Sequence, residues 1–154
     1  MSKTKKITIS GLVVSIYFVT MYLSKNFSFY QYQIRIATSL YALSYFYKFL
    51  PLPLAMANSF SNLIMGGLGM PDVIMGFLVG YLTSKIISMI SENEYKKYLV
   101  GLVILLLPAL LVPTYLRLII GVPYHVLFIS IFIGQITPAL TGVWIVKNED
   151  IFCR

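Results

Sequence analysis

Six apolar stretches, most of them separated by short polar breaks, occupy most of this 154-residue chain. Hydrophobic residues make up 58% of it and charged residues 11%, against about 25% charged in a soluble domain. Hydrocarbon offers no partner for a backbone N–H or C=O, so such a stretch must satisfy its own peptide groups, and a spanning helix needs about 20 residues to do so. That length allows at most six or seven spans and no second domain. Residues 1–154 therefore read as a single all-α integral membrane domain. The expected spans are Ile7–Ser24, Ile36–Phe49, Leu50–Gly66, Pro71–Ile90, Lys97–Ile120 and Val122–Val146. The boundary between the second and third rests on Pro51 and Pro53, which remove backbone donors and disfavour helix just before them. The second span is then short, and it is expected to be tilted, re-entrant or buried among its neighbours.

Charge placement sets the orientation. With six spans and the N-terminus inside, Lys3, Lys5, Lys6, Lys48, Lys85, Lys96, Lys97, Lys147 and Arg154 lie on the cytoplasmic side, and only Lys25, Arg35 and Arg117 lie outside. This is the bias that cytoplasmic loops carry. It predicts a six-transmembrane-helix bundle with both termini cytoplasmic; five spans would move Lys147 and Arg154 outside. The net charge of +7 follows from those loops and does not indicate nucleic-acid binding. Lys3-Thr4-Lys5-Lys6 before an apolar run resembles a signal peptide, but Tyr22-Leu23-Ser24-Lys25 offers no small-x-small cleavage site, so a retained first helix is expected. Cys153 is the single cysteine, which excludes an intramolecular disulfide and a cysteine-rich metal site.

Against this background the polar residues between 31 and 72 stand out. Gln31, Gln33, Arg35, Asn58, Asn62 and Asp72 lie in or beside stretches that enter the bilayer, where a central charge costs about 2.5–3.5 kcal/mol on insertion scales. Each has a functional and a plain structural reading. Gln33 and Arg35 can hydrogen-bond a planar solute, or Arg35 can snorkel to the headgroups. Asn58 and Asn62, four apart on one face, serve either interhelical hydrogen bonding or solute recognition, with Asn62 nearer the outer end. Asp72 after Pro71 suits the positive end of a helix as well as a ligand contact. Gln135, mid-span between Gly134 and Pro138, should be buried and hydrogen-bonded. Gly11 and Ser15, also four apart, allow close approach of another helix, inside the bundle or from a separate subunit.

Several chemistries are absent. No GxxxxGK[ST] motif is present, so the chain cannot energise itself with ATP. There is no HExxH, no nucleophile motif and no paired acid–histidine set. Of five carboxylates, Glu92, Glu94, Glu149 and Asp150 fall in expected cytoplasmic segments, which leaves Asp72 alone on the outer side. His125, the lone histidine, makes a poor metal or catalytic centre. No cofactor, metal or catalytic residue is expected.

The run Gln33-Ile34-Arg35, the proline turn at 51–53, Ser61-Asn62-Leu63 and the segment from Gly67 through Met70-Pro71-Asp72 to Gly76 resemble the QueT family. These are queuosine-precursor transporters, substrate-binding S components of energy-coupling-factor (ECF) importers. Val14–Thr20, Pro108, Val112-Pro113, Gly121-Val122-Pro123-Tyr124 and Gly134-Gln135 fit the same family. The resemblance implies a six-helix domain in a prokaryotic plasma membrane that binds its solute from outside. Its implied partners are a transmembrane coupling subunit and two cytoplasmic ATPases. It implies that Gly11 and Ser15 dock the coupling subunit through a small-xxx-small motif. Gln33, Arg35, Asn62 and Asp72 would line an outward-facing pocket that Gln135 closes, with Tyr30, Tyr32 or Tyr124 stacking on a planar ring. The implied cargo is queuine, a related 7-deazaguanine or a similar vitamin-like solute. Where the family usually carries acids, this chain has Thr38 after the Gln-x-Arg pattern and Gln135 after Gly134. The alternative readings are an accessory subunit of another membrane complex, whose polar residues serve packing alone, and a membrane enzyme, which the missing catalytic sets disfavour.

Overall fold

The structure, a computed structural model, describes residues 1–28, 34–66, 68–91 and 94–152, with the side chains of 27, 28, 94 and 152 left aside. Its elements are α1 (Lys3–Leu23), α2 (Lys25–Ser28), a 3-10 segment (Ile36–Tyr45), α3 (Pro51–Ser61) running into a π turn (Asn62–Gly66), α4 (Met70–Met89), a 3-10 turn (Glu94–Lys96), α5 (Lys97–Ile120), α6 (Tyr124–Lys147) and α7 (Glu149–Phe152). Among the described residues there is no strand, as expected of an all-α chain.

Four helices, α1, α4, α5 and α6, are long and apolar enough to cross a membrane. Their bounds fall within a few residues of the sequence expectation. The second and third expected spans are realised differently. Ile36–Tyr45 is a 3-10 helix of ten residues, which at about 2.0 Å rise per residue covers roughly 20 Å. It is the most enclosed element, with Ala37, Thr38, Ser39, Tyr41, Ala42, Leu43, Ser44 and Tyr45 all buried. Irregular backbone is tolerated at membrane depth when protein surrounds it. Its small residues let neighbours close in: a Cβ on Gly142 of α6 would stand 3.6 Å from Ala42 Cβ and 3.7 Å from the Ser39 carbonyl. Thr38 and Ser39 each return a hydroxyl to a carbonyl three residues back, at 2.7 Å, a local bond that competes with the regular α ladder.

Pro51 and Pro53 do not break a helix. Leu50 caps α3, so both prolines fall in its first turn, where N–H groups have no intrahelical acceptor. Pro71 likewise lies one residue inside α4, which Gly69 caps at φ 78, a left-handed value that glycine adopts without a Cβ penalty.

Contacts at one end of the bundle join the lysine-rich segments. Lys6 lies 5.9 Å from the Phe49 ring, Tyr45 donates to the Ser91 carbonyl at 3.4 Å, and Lys97 pairs with Glu149 at 3.7 Å. The start of α1, the turn before α3, the α4–α5 turn and the residues after α6 thus gather together. The helices are unevenly embedded. Only 17% of the apolar window of α1 is buried within the chain, against 39–44% for the other three. α1 is therefore the peripheral helix, held chiefly through Val13, Tyr17 and Met21.

Candidate functional site: a buried polar cluster under the 3-10 segment

Arg35 caps the 3-10 segment and is buried, 8% exposed, so it does not snorkel. Its Nη1 donates to Asn58 Oδ1 at 3.3 Å and to Asn62 Oδ1 at 3.2 Å. The four-residue spacing of the two asparagines brings both oxygens to one guanidinium nitrogen. Their amide nitrogens reach the other way, to α4: Asn58 Nδ2 donates to the Gly76 carbonyl at 2.7 Å and Asn62 Nδ2 to the Asp72 carbonyl at 3.0 Å. Ser59 Oγ adds a third bond, to the Val73 carbonyl at 3.0 Å. Two amides that hydrocarbon would leave unsatisfied thus join three elements.

This approach needs glycine on α4. A Cβ on Gly76 would lie 2.5 Å from Asn62 Nδ2, and one on Gly80 would lie 3.3 Å from the Ala55 Cα and 3.1 Å from the Tyr41 hydroxyl. Gly76 and Gly80 form a GxxxG pair, the spacing that lets membrane helices touch backbone to backbone.

Asp72, in the first turn of α4, is 1% exposed. The Tyr115 hydroxyl of α5 donates to its Oδ1 at 2.8 Å, while Oδ2 takes no hydrogen bond among the described residues. On the opposite wall, Thr38 Oγ1 stands 3.0 Å from Gln135 Oε1 and 2.7 Å from the Arg35 carbonyl. A hydroxyl carries one proton, so these two acceptors share it. Thr38 and Gln135 are therefore neighbours in space. Tyr41 completes the wall. It stacks on Tyr17 of α1 at a ring separation of 6.0 Å and 22°, with the hydroxyls 3.3 Å apart.

These groups enclose a cavity of about 10 Å³, room for a single water. Arg35, Thr38, Asn58 and Gln135 supply its polar wall, Tyr41 and Tyr115 its rings, and Gly76, Val79, Pro108, Val112 and Ile131 the remainder. Pockets that hold small molecules run from about 300 to 1,000 Å³, so the site is closed in this structure and a ring-sized solute enters only if its walls part.

The expected site residues divide. Arg35, Asp72 and Gln135 are brought together, Arg35 and Gln135 on the cavity wall. Asn62, expected as the better solute contact of its pair, sits behind Arg35, and Asn58 takes the wall instead. Gln31 and Gln33, with Tyr30 and Tyr32, lie outside the described residues. Tyr124 stacks on Phe128 at 6.3 Å and donates to the Leu110 carbonyl at 3.1 Å, away from the cavity. The tyrosines that line it, Tyr41 and Tyr115, were missed. A mid-span tyrosine hydroxyl that has to find a partner was the available signal. The Gly76–Gly80 spacing was an equally readable one. Among the described residues no group of histidine, cysteine and acidic side chains could hold a metal ion.

Gly11 and Ser15 are exposed on α1. The Ser15 hydroxyl is turned back onto the Gly11 carbonyl at 2.8 Å, and nothing stands within 4 Å of where a Gly11 Cβ would be. Beside them an apolar groove of about 460 Å³ runs between α1 and α3, lined by Ile7, Gly11, Val14, Pro53, Met56 and Phe60 among others.

Apolar outer helices around an interior cluster of guanidinium, carboxylate and amides define an integral membrane protein organised about a buried polar site. The chain belongs to the QueT transporter family, whose model matches residues 7–148. It is a member of a transporter family rather than of a family of enzymes. Neither curated proteins nor solved structures give a match.

Proposed function

We propose that the chain is the substrate-binding S component of an ECF-type importer in a prokaryotic plasma membrane, and that its cargo is a queuosine precursor, queuine or a related 7-deazaguanine base. The observation that carries this reading is the buried Arg35–Asn58–Asn62–Asp72–Tyr115 network in a chain of the QueT transporter family. A 7-deazaguanine presents a ring carbonyl beside adjacent N–H donors. A guanidinium suits the first, and a carboxylate oxygen such as Asp72 Oδ2, which stands off the closed cavity's wall and takes no other hydrogen bond among the described residues, suits the second once the walls part. The rings of Tyr41 and Tyr115 lie alongside, where a planar base could stack.

The six-segment topology with both termini cytoplasmic is part of this proposal. The gathering of Lys6, Lys97 and Lys147, the last 2.6 Å from the Tyr98 hydroxyl, at one end supports it, because that end carries the positive bias. The partners are a transmembrane coupling subunit and two cytoplasmic ATPases. The groove beside Gly11 and Ser15 supports docking of a coupling-subunit helix on α1, the least embedded of the four long helices.

Cells that cannot make queuosine precursors test this. Expressed with coupling and ATPase subunits, the chain is expected to restore queuosine to tRNA when a precursor base is supplied outside, and the Arg35→Ala variant is not. Equal restoration with and without the chain would remove the transport reading and leave an accessory role.

A further inference from the structure

We propose that the Thr38–Gln135 pair makes this site selective for a neutral base over a cationic one, so that among the 7-deazaguanines named above one bearing an uncharged 7-substituent is preferred to those, queuine included, that bear a protonated amine. The inference rests on the 7-deazaguanine reading above and deepens it. Among the described residues the cavity wall holds one charged side chain, Arg35, and no carboxylate. Residues 29–33, which precede Arg35 and lie outside the described residues, contain no acid in sequence either.

Among the described residues the acid joined to the cavity lining is Asp72, and it is not itself on the wall. Tyr115, which lines the cavity, holds one of its oxygens at 2.8 Å. Arg35 and Asp72 together contribute no net charge. An ammonium group in this enclosure would therefore lose its water and gain no negative charge beyond the one that already offsets Arg35, and desolvated charge without a partner is strongly disfavoured.

Thr38 and Gln135 form a neutral wall. Their side chains lie 3.0 Å apart, Gln135 is 1% exposed and Thr38 3%. The Gln135 amide carries two N–H donors, of which Thr38 Oγ1 can take at most one, and the residue lines the cavity. A neutral acceptor such as a nitrile nitrogen can take the other, whereas an ammonium has only donors to offer it. Replacing Gln135 by glutamate changes little in size and supplies the missing negative charge.

The test uses the purified full-length chain in nanodiscs at neutral pH and two probes, 7-cyano-7-deazaguanine, which is neutral, and 7-aminomethyl-7-deazaguanine, whose primary amine is protonated. Titration calorimetry is expected to give the wild-type chain at least tenfold tighter binding of the cyano base. Gln135→Glu is expected to shift the ratio of the two affinities by at least tenfold towards the aminomethyl base, and Thr38→Glu to shift it in the same direction. Wild-type binding of the aminomethyl base as tight as, or tighter than, that of the cyano base overturns the inference whether or not the variants fold, and leaves the 7-deazaguanine reading intact. Binding of neither base overturns that reading and this inference with it.

Discussion

Gly76→Ala offers a sharp test of the α3–α4 seam. The added Cβ would stand 2.5 Å from Asn62 Nδ2 and 3.3 Å from its Cγ. Ordinary contact requires a retreat of about 1 Å, and the α4 backbone is fixed by its own ladder, so the asparagine has to move. That displacement disturbs two bonds, from Asn62 to the Asp72 carbonyl at 3.0 Å and from Arg35 to Asn62 at 3.2 Å. Interhelical hydrogen bonds in membranes are worth about 0.6 kcal/mol on average and up to about 1.7, and overpacking adds about 1–3 kcal/mol. Alanine returns about 1 kcal/mol through helix propensity. The expected net cost is about 1–3 kcal/mol. In an Asn62→Ala background the obstacle is gone, and the same substitution should be neutral or slightly stabilising, so the double-mutant cycle should show a coupling of that size. Unfolding in mixed detergent–SDS micelles followed by circular dichroism measures it. Gly11→Ala, with nothing within 4 Å of its Cβ, serves as the control without a penalty. A Gly76→Ala cost that persists unchanged without Asn62, or no cost in either background, refutes the reasoning.

Other perturbations probe the site and the docking face. Arg35→Ala leaves Asn58 Oδ1 and Asn62 Oδ1 without this donor and should weaken base binding at least tenfold in equilibrium titration; unchanged affinity would remove the site model. Tyr115→Phe deletes the hydroxyl on Asp72 Oδ1 and should cost about 0.6–1.7 kcal/mol of stability, read in the same unfolding assay, where an unchanged midpoint would show that the bond contributes nothing. Gly11→Leu places a bulky chain on the exposed face of α1. It should leave base affinity intact while abolishing co-purification of the coupling subunit, and intact assembly would count against that docking face.

Much of the architecture was legible because the strongest signals act over long segments. Four apolar stretches of spanning length became α1, α4, α5 and α6, and Lys97–Ile120 fell on its helix end to end. The polar band between 31 and 72 pointed to the buried cluster because Arg35, Asn58 and Asp72 are costly to desolvate unless they find partners. Properties decided by neighbours were not legible. Ile36–Tyr45 reads as an apolar helix in sequence, and its 3-10 winding depends on burial by surrounding elements. Asn58 and Asn62 share a helix face, so spacing alone could not say which one reaches the cavity; only the fold puts Asn58 on its wall. Thr38 and Gln135 lie 97 residues apart, and only the fold makes them a pair. Tyr41 and Tyr115 carry no local motif, and they line the cavity because the 3-10 segment and α5 bring them there.

Native purification in mild detergent followed by mass spectrometry tests the central claim most directly, because it reads cargo and partners together. The account predicts a bound 7-deazaguanine-type base released on denaturation, with a transmembrane coupling subunit and two ATPases in the same preparation, and loss of the base alone in Arg35→Ala. A well-folded preparation that carries neither a small molecule nor ATPase subunits would contradict it.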